Sequence, residues 1–176
     1  LPTPKNYSIS DMARANIHQG EVVETYRGDG EAILRFSNET LARELVCVLR
    51  HRHHHLMAQS LASQRIAEEL LVRSGEELPH VDLIAERIVQ PSGEPDFSTG
   101  TLKERSHAEY VPVISIVGMV KECLVAERIA FDSYRGLMEY VGKDDPGTRR
   151  VIEGILGVEE AHADEFVDLS QDTKAV

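Results

Sequence analysis

The sequence predicts an all-α chain: a four-helix bundle with one long crossover between helices 2 and 3, plus an N-terminal helical arm. Three observations predict it. Apolar residues recur at spacings of three and four along four long stretches. The connections between those stretches run short, long, short, which gives two helix hairpins joined by a crossover. Aromatic residues make up only 5% of the chain and Trp is absent, which suits helices packed through Leu, Val, Ile and Ala. A length of 176 residues fits one such bundle with a sizeable core.

Taken in order, residues 1–29 read as the arm, with Pro2, Pro4 and Gly20 around a short helix beginning near Ser8 or Ser10. The bundle is expected over 30–170. Asp29 is the N-cap of a first long helix running from Gly30 to about Leu61. A second helix follows from Ser63 to Val89 and is stopped by Pro91, Ser92 and Gly93. The stretch from Pro91 to Tyr110 carries two prolines and two glycines and forms the crossover. A third helix is expected from Pro112 to Val141, with Pro112 in its first turn. Gly142 to Gly147 reads as a tight turn, and a fourth helix runs from Thr148 to about Leu169. Residues 171–176 form a frayed tail, too short for another helix.

Charge and composition narrow the function classes. Lys and Arg number 19 against 30 Asp and Glu, a formal net charge of −11. An acidic chain attracts cations and repels a phosphate backbone, which argues against nucleic acid as a partner. Lys5 and Arg14 are the only basic residues among the first twenty, a poor arm for DNA. The longest apolar run, Val111 to Val120, falls short of the about 20 residues a membrane span needs. Cys47 and Cys123 both sit in apolar helical patterns. Two such thiols, with no visible signal peptide, give a cytoplasmic expectation.

The chemistry lies where charge interrupts the apolar stripes. The fourth helix reads Ile152, Ile155, Glu159, His162, Phe166, Leu169, and the third reads Val120, Leu124, Glu127, Phe131, Tyr134, Met138. The second reads Ile66, Leu70, Arg73, Glu77, His80, Ile84, Ile88, and the first reads Leu34, Leu41, Glu44, Val48, then His51 and His55. A buried carboxylate costs several kcal/mol unless it is paired or binds a metal. Four of them facing one core repel one another, and two divalent cations balance the charge. Oxygen-rich donors with two imidazoles suit iron or manganese better than structural zinc. One Glu-x-x-His pair is usually only a solvated face, and the copy at Glu104 and His107, in the crossover and off any stripe, is set aside as chance. The other two copies each follow a lone Glu at a matched distance, Glu44 to Glu77 by 33 residues and Glu127 to Glu159 by 32.

That pattern, a Glu and then Glu-x-x-His in each half, is the ligand set of ferritin-like di-metal bundles. From Ile17 to Leu169 the chain resembles the bacterioferritin and Dps-like branch of that superfamily. The segments that carry the likeness are Glu44-Leu-Val, Ala85-Glu-Arg-Ile-Val, Leu124-Val-Ala-Glu-Arg and Glu159-Glu-Ala-His. The resemblance implies a ferroxidase that oxidises Fe(II) with O2 or H2O2 at a centre of two iron ions per subunit, manganese being the alternative metal. It also implies ferric storage inside a hollow homo-oligomer. Glu44, Glu77, His80, Glu127, Glu159 and His162 would hold the metal, with Glu77 and Glu159 bridging and Glu44 and Glu127 terminal. The absence of a fifth helix points to a twelve-subunit shell, a twenty-four-subunit one being the alternative. The Met that binds haem in bacterioferritins falls at Leu78, so no haem is expected by that route.

Three features depart from the pattern. The family often has a Tyr seven residues after the first ligand, where this chain has His51: an extra ligand, a hydrogen-bond partner behind a ligand, or a core histidine. His53 and His54 point off the stripe, and most of the run from His51 to His55 is expected to be surface or subunit-contact packing. Pro79 falls inside the second helix's Glu-x-x-His, where it removes a backbone donor and crowds the Gly75 carbonyl, so a kink or break is expected. Two other classes compete with storage: a peroxide-scavenging di-iron or di-manganese protein, and a DNA-protecting or purely structural shell.

Overall fold

The computed structural model describes residues 28–61, 63–106, 111 and 113–172. The arm's expected helix, Pro112, His107 and the last four residues lie outside them. The described residues form four long helices, α1 (Gly30–Ser60), α2 (Gln64–Val89), α4 (Ile116–Val141) and α5 (Pro146–Asp172), and a single helical turn, α3 (Leu102–Arg105). No strand occurs among them.

Consecutive long helices pair as hairpins, α1 with α2 and α4 with α5. The hairpins close on each other through α1 against α4 and α2 against α5. The crossover is strapped to α1. Asn38 donates to the Glu94 carbonyl at 3.1 Å and accepts from the Asp96 amide at 2.7 Å, while Arg105 reaches the Asn38 carbonyl at 3.3 Å. Leu102 of α3 packs over Val46 and Cys47. α1 is therefore covered on more than the face it turns to its partner helices, and Leu41, Ala42, Arg43 and Glu44 are all buried in succession.

Capping sets the helix ends. The Asp29 side chain accepts from the Ala32 amide at 3.1 Å, as expected of an N-cap. α4 begins at Ile116, later than expected: Ser115 caps it by accepting from the Gly118 amide at 3.1 Å. α5 begins earlier than expected. Asp145 accepts from the Thr148 amide at 2.9 Å, and Pro146 takes the first helical position, where its missing N–H costs nothing. Between them Gly142 turns the chain at φ +51°, a conformation costly for any residue with a Cβ.

The break expected at Pro79 does not occur. α2 is continuous from Gln64 to Val89. Pro79 and Gly75 both lie on the exposed side, where water can take the bond the Gly75 carbonyl loses. The inner side delivers Glu77 and His80 undisturbed.

Two apolar clusters fill the bundle. One gathers Leu41, Ile84, Ile88, Tyr134, Val141 and Ile155; the other gathers Ala58, Leu70, Met119, Val120, Phe166 and Leu169. The stripes expected on α2 and α5 are buried throughout. On α4 the core face is turned from the expected one. Met119, Cys123, Ala126, Ala130 and Leu137 are buried with Val120, Glu127 and Tyr134, while Leu124, Phe131 and Met138 are half-buried at its edge. Small residues let α4 approach its neighbours more closely than the larger ones would.

Candidate metal centre

The polar layer between the two apolar clusters holds all six predicted ligands. Glu44 comes from α1, Glu77 and His80 from α2, Glu127 from α4, and Glu159 and His162 from α5. All six are buried, the four carboxylates completely. They form two overlapping groups of donor atoms: Glu44, Glu77, His80 and Glu159 in one, and Glu77, Glu127, Glu159 and His162 in the other. Within each group the donor atoms lie within 4.8 Å of one another, and Glu77 and Glu159 belong to both. The i, i+3 spacing on α2 and α5 puts each Glu and its His on one face, one turn apart.

Both imidazoles turn Nδ1 inward. His80 Nδ1 lies 3.0 Å from Glu159, 3.3 Å from Glu44 and 3.5 Å from Glu77. His162 Nδ1 lies 3.4 Å from Glu159, while its Nε2 faces Glu76 at 3.2 Å. Glu76 in turn accepts from Arg73 at 2.6 Å. A carboxylate behind the far nitrogen is the usual device that fixes a metal-binding imidazole.

The donor set fits divalent metal. Both carboxylate oxygens of Glu77, Glu127 and Glu159, and Nδ1 of His162, lack a hydrogen-bond partner although they are fully enclosed. Buried polar atoms are otherwise almost always satisfied, so seven bare donors at one point make a set that divalent cations would satisfy.

Electrostatics point the same way. Burial, then the neighbouring Glu44 charge, holds Glu77 well above the usual carboxylate range. Glu127 is raised too, by burial and by Glu159. Burial would also raise Glu44 and Glu159, but Arg43 and His80 hold the first below its usual value, and His162 and His80 the second. Burial alone would lower His80, yet the carboxylates of Glu159, Glu44 and Glu77 around its Nδ1 push it up to about 12. Without metal, protons do the work of cations.

Several neighbours were not foreseen. Arg43 is fully buried and pairs with Glu44. It donates to the Tyr134 hydroxyl at 2.8 Å and lies 3.9 Å from Glu127. The Tyr134 hydroxyl itself donates to Glu44. Tyr134 stands seven residues after Glu127, as His51 stands after Glu44, and that repeat was the available signal. Arg43 had none, because its place beside Glu44 in sequence puts it about 100° around the helix.

His51 is fully buried, with Nδ1 3.7 Å from Glu77 and neither nitrogen hydrogen-bonded. Burial, then Arg50, keeps it neutral by lowering its pKa well below the usual value. The outward placement expected for His54 is wrong. It is buried against α4, its Nδ1 3.7 Å from the Cys123 thiol, and burial lowers its pKa to about 4. Arg73, which the sequence puts on the α2 stripe, reaches the rim of the bundle, where it pairs with Glu69, Glu76 and Glu165.

Comparison with known proteins agrees with this architecture. A family model described as the ferritin-like domain matches residues 38–176, which include all six candidate ligands. The bacterioferritin of Mycolicibacterium paratuberculosis is 26% identical over 145 residues, covering 78% of this chain and 82% of the relative. That of Mycobacterium avium is 25% identical over the same coverage. Among solved structures, a dodecameric thioferritin, the bacterioferritin-related protein from Bacteroides fragilis, superposes with a TM-score of 0.79 at 21% identity, over 84% of this chain and 89% of that one. Among the described residues no helix is long and apolar enough to cross a membrane. The chain belongs to the ferritin-like family.

Proposed function

We propose that this chain is a di-iron ferroxidase that takes Fe(II) as substrate, oxidises it with O2 or H2O2 and stores the ferric product inside a shell of twelve copies. The observation that carries the reading is the pair of overlapping donor groups sharing Glu77 and Glu159. In this reading the shared carboxylates bridge two ions, Glu44 and Glu127 bind one each from the ends, and His80 and His162 supply the nitrogen donors. The family's bacterioferritins support iron as the metal, and the dodecameric thioferritin supports the twelve-subunit shell. Leu78, half-exposed on α2 and without a thioether, supports a centre without haem by that route.

The donor chemistry suits the reaction. Carboxylates stabilise Fe(III) more than Fe(II), which lowers the potential and favours oxidation. Two Fe(II) ions held together each give up one electron. The pair reduces O2 with two protons to H2O2, or H2O2 with two protons to two waters. The residues' part is to hold both ions at one spacing, exclude bulk water from a buried layer, and supply fixed donors.

The test is to add Fe(II) to metal-free protein with O2 or H2O2, and to follow ferric absorbance beside a Glu127→Ala variant. Rapid oxidation in the parent, lost in the variant, with iron retained in solution beyond two ions per subunit, is the expected result. Equal rates in the two proteins would remove the centre from the mechanism. Peroxide consumption without retained iron would favour a non-storing peroxidase.

A further inference from the structure

We infer that the two metal positions of the centre are unequal, and that Arg43 makes them so: the Glu127 position fills first and the Glu44 position second, with weaker binding. The inference rests on the di-metal reading and concerns how that centre loads.

The two halves of the bundle repeat the ligand pattern but not its surroundings. Glu127 is preceded by Ala126, whereas Glu44 is preceded by Arg43. Arg43 is completely buried and has no route to solvent. Its guanidinium is fixed on Glu44, on the Tyr134 hydroxyl at 2.8 Å and on the Ala126 carbonyl at 3.4 Å. Arg43 and Tyr134 both donate to the same oxygen, Oε1, of Glu44. Glu44 therefore has one oxygen committed to the protein, leaving Oε2, which faces His80. Glu127 has both oxygens bare, with the guanidinium 3.9 Å away, beyond hydrogen-bond reach.

Charge counting leads to the same order. Once metal has displaced the protons, four carboxylates and one guanidinium carry three net negative charges. The first divalent ion leaves one, and the second takes the centre past neutrality. The first ion goes where uncompensated carboxylate is densest, between Glu127, Glu159 and Glu77. The second must share Glu44 with a cation that cannot leave, in a medium where charges are weakly screened. Without Arg43, two ions would bring the centre just to neutrality, and the two positions would bind more alike.

The experiment is an anaerobic titration of metal-free protein with Co(II), followed by calorimetry and by the visible absorption of the bound ion. The intact protein should bind two ions per subunit in steps separated by about tenfold or more. Glu127→Ala should lose the tight step and keep a weak one. Arg43→Met should bring the two steps together, and Arg43→Lys should keep them apart. Should Arg43→Met fail to fold by circular dichroism, Tyr134→Phe decides, because it frees Glu44 Oε1 of one donor without altering charge and should narrow the gap. A single step of two equal ions in the intact protein would overturn the inference. So would a gap unchanged in both Tyr134→Phe and any folded Arg43→Met, or a Glu127→Ala variant that loses the weak step instead. An intact protein that binds no Co(II) would overturn the di-metal reading itself, an outcome distinct from equal binding.

Discussion

At the scale of single residues, the centre divides into groups that the sequence displays and groups that it hides. An ionisable side chain on an otherwise apolar stripe is visible because burial makes it costly, and all six candidate ligands announce themselves that way. Glu76 gives no such signal. It is half-exposed, adjoins a ligand, and looks like ordinary surface charge. Yet it lies 3.2 Å from His162 Nε2 and is itself held by Arg73, so it fixes the ring with Nδ1 toward Glu159. Glu76→Gln should lower Co(II) or Zn(II) affinity by about 10- to 100-fold with little change in folding stability. The same titration on Glu68→Gln, an exposed glutamate that accepts from Gln64, serves as control. Equal affinities in the parent and Glu76→Gln would show that the His162 ring needs no outer support. Arg43 and His54 were hidden for another reason. The helical period gives a position's angle around its own helix, but not how wide an arc the neighbours cover. On α1 that arc reaches round to α4, where Arg43 meets Tyr134 and Ala126 and His54 meets Cys123, so residues off the stripe become core.

At the scale of helices, strongly periodic segments were readable almost to the residue, and their ends were not. Pro112 suggested a helix start by its preference for the first turn, but α4 starts where Ser115 can cap it. Pro146 has the same preference but sits in a stretch that reads as turn, and Asp145 caps α5 just before it. The cap residue decided in both cases. Asp145 also ties the hairpins together. Arg87 of α2 donates to it at 2.8 Å and to Thr148 at 2.9 Å, all three being buried. Asp145→Ala leaves a buried guanidinium short of its counter-charge and uncaps α5, and should cost about 3–5 kcal/mol in urea unfolding. Breaking the exposed pair with Arg149→Ala should cost under about 1 kcal/mol. Comparable losses would mean that Arg87 reaches solvent once released. Pro79 makes the opposite case. It sits exposed in a continuous helix and denies the Gly75 carbonyl its donor, so Pro79→Ala should stabilise α2 by about 1–3 kcal/mol. The number of ions bound should not change. A Pro79→Ala protein that is no more stable yet binds metal differently would mean that the proline shapes the centre after all.

At the scale of the whole molecule, two apolar clusters enclose a layer of buried charge, and the metal-free protein must neutralise that layer by other means. Protons and Arg43 suffice. Burial and neighbouring carboxylates hold Glu77 and Glu127 well above the usual range, so both keep a proton to higher pH than an ordinary carboxylate. Glu44 and Glu159 are held below it and stay ionised. Their two charges are balanced by Arg43 and by His80, which the surrounding carboxylates push up to about 12. In the proposed centre metal needs Glu77, Glu127 and His80 without their protons, so uptake should expel up to about three protons per centre. The sign follows. These groups bind protons more tightly in the metal-free protein than ordinary side chains do, so lowering the pH favours the metal-free form, and affinity falls. Raising the pH through about 6 to 8 should strengthen binding, with at least one proton released per centre. Calorimetry of Co(II) uptake in buffers of differing ionisation heat counts those protons directly. The same linkage should appear as thermal protection, since metal at about 100 times its dissociation constant adds about 2.7 kcal/mol to the folded state. Uptake without proton release, and affinity flat across that pH range, would mean that the layer is already ionised before metal arrives. Its charge would then have to be balanced by something other than the protons on Glu77, Glu127 and His80.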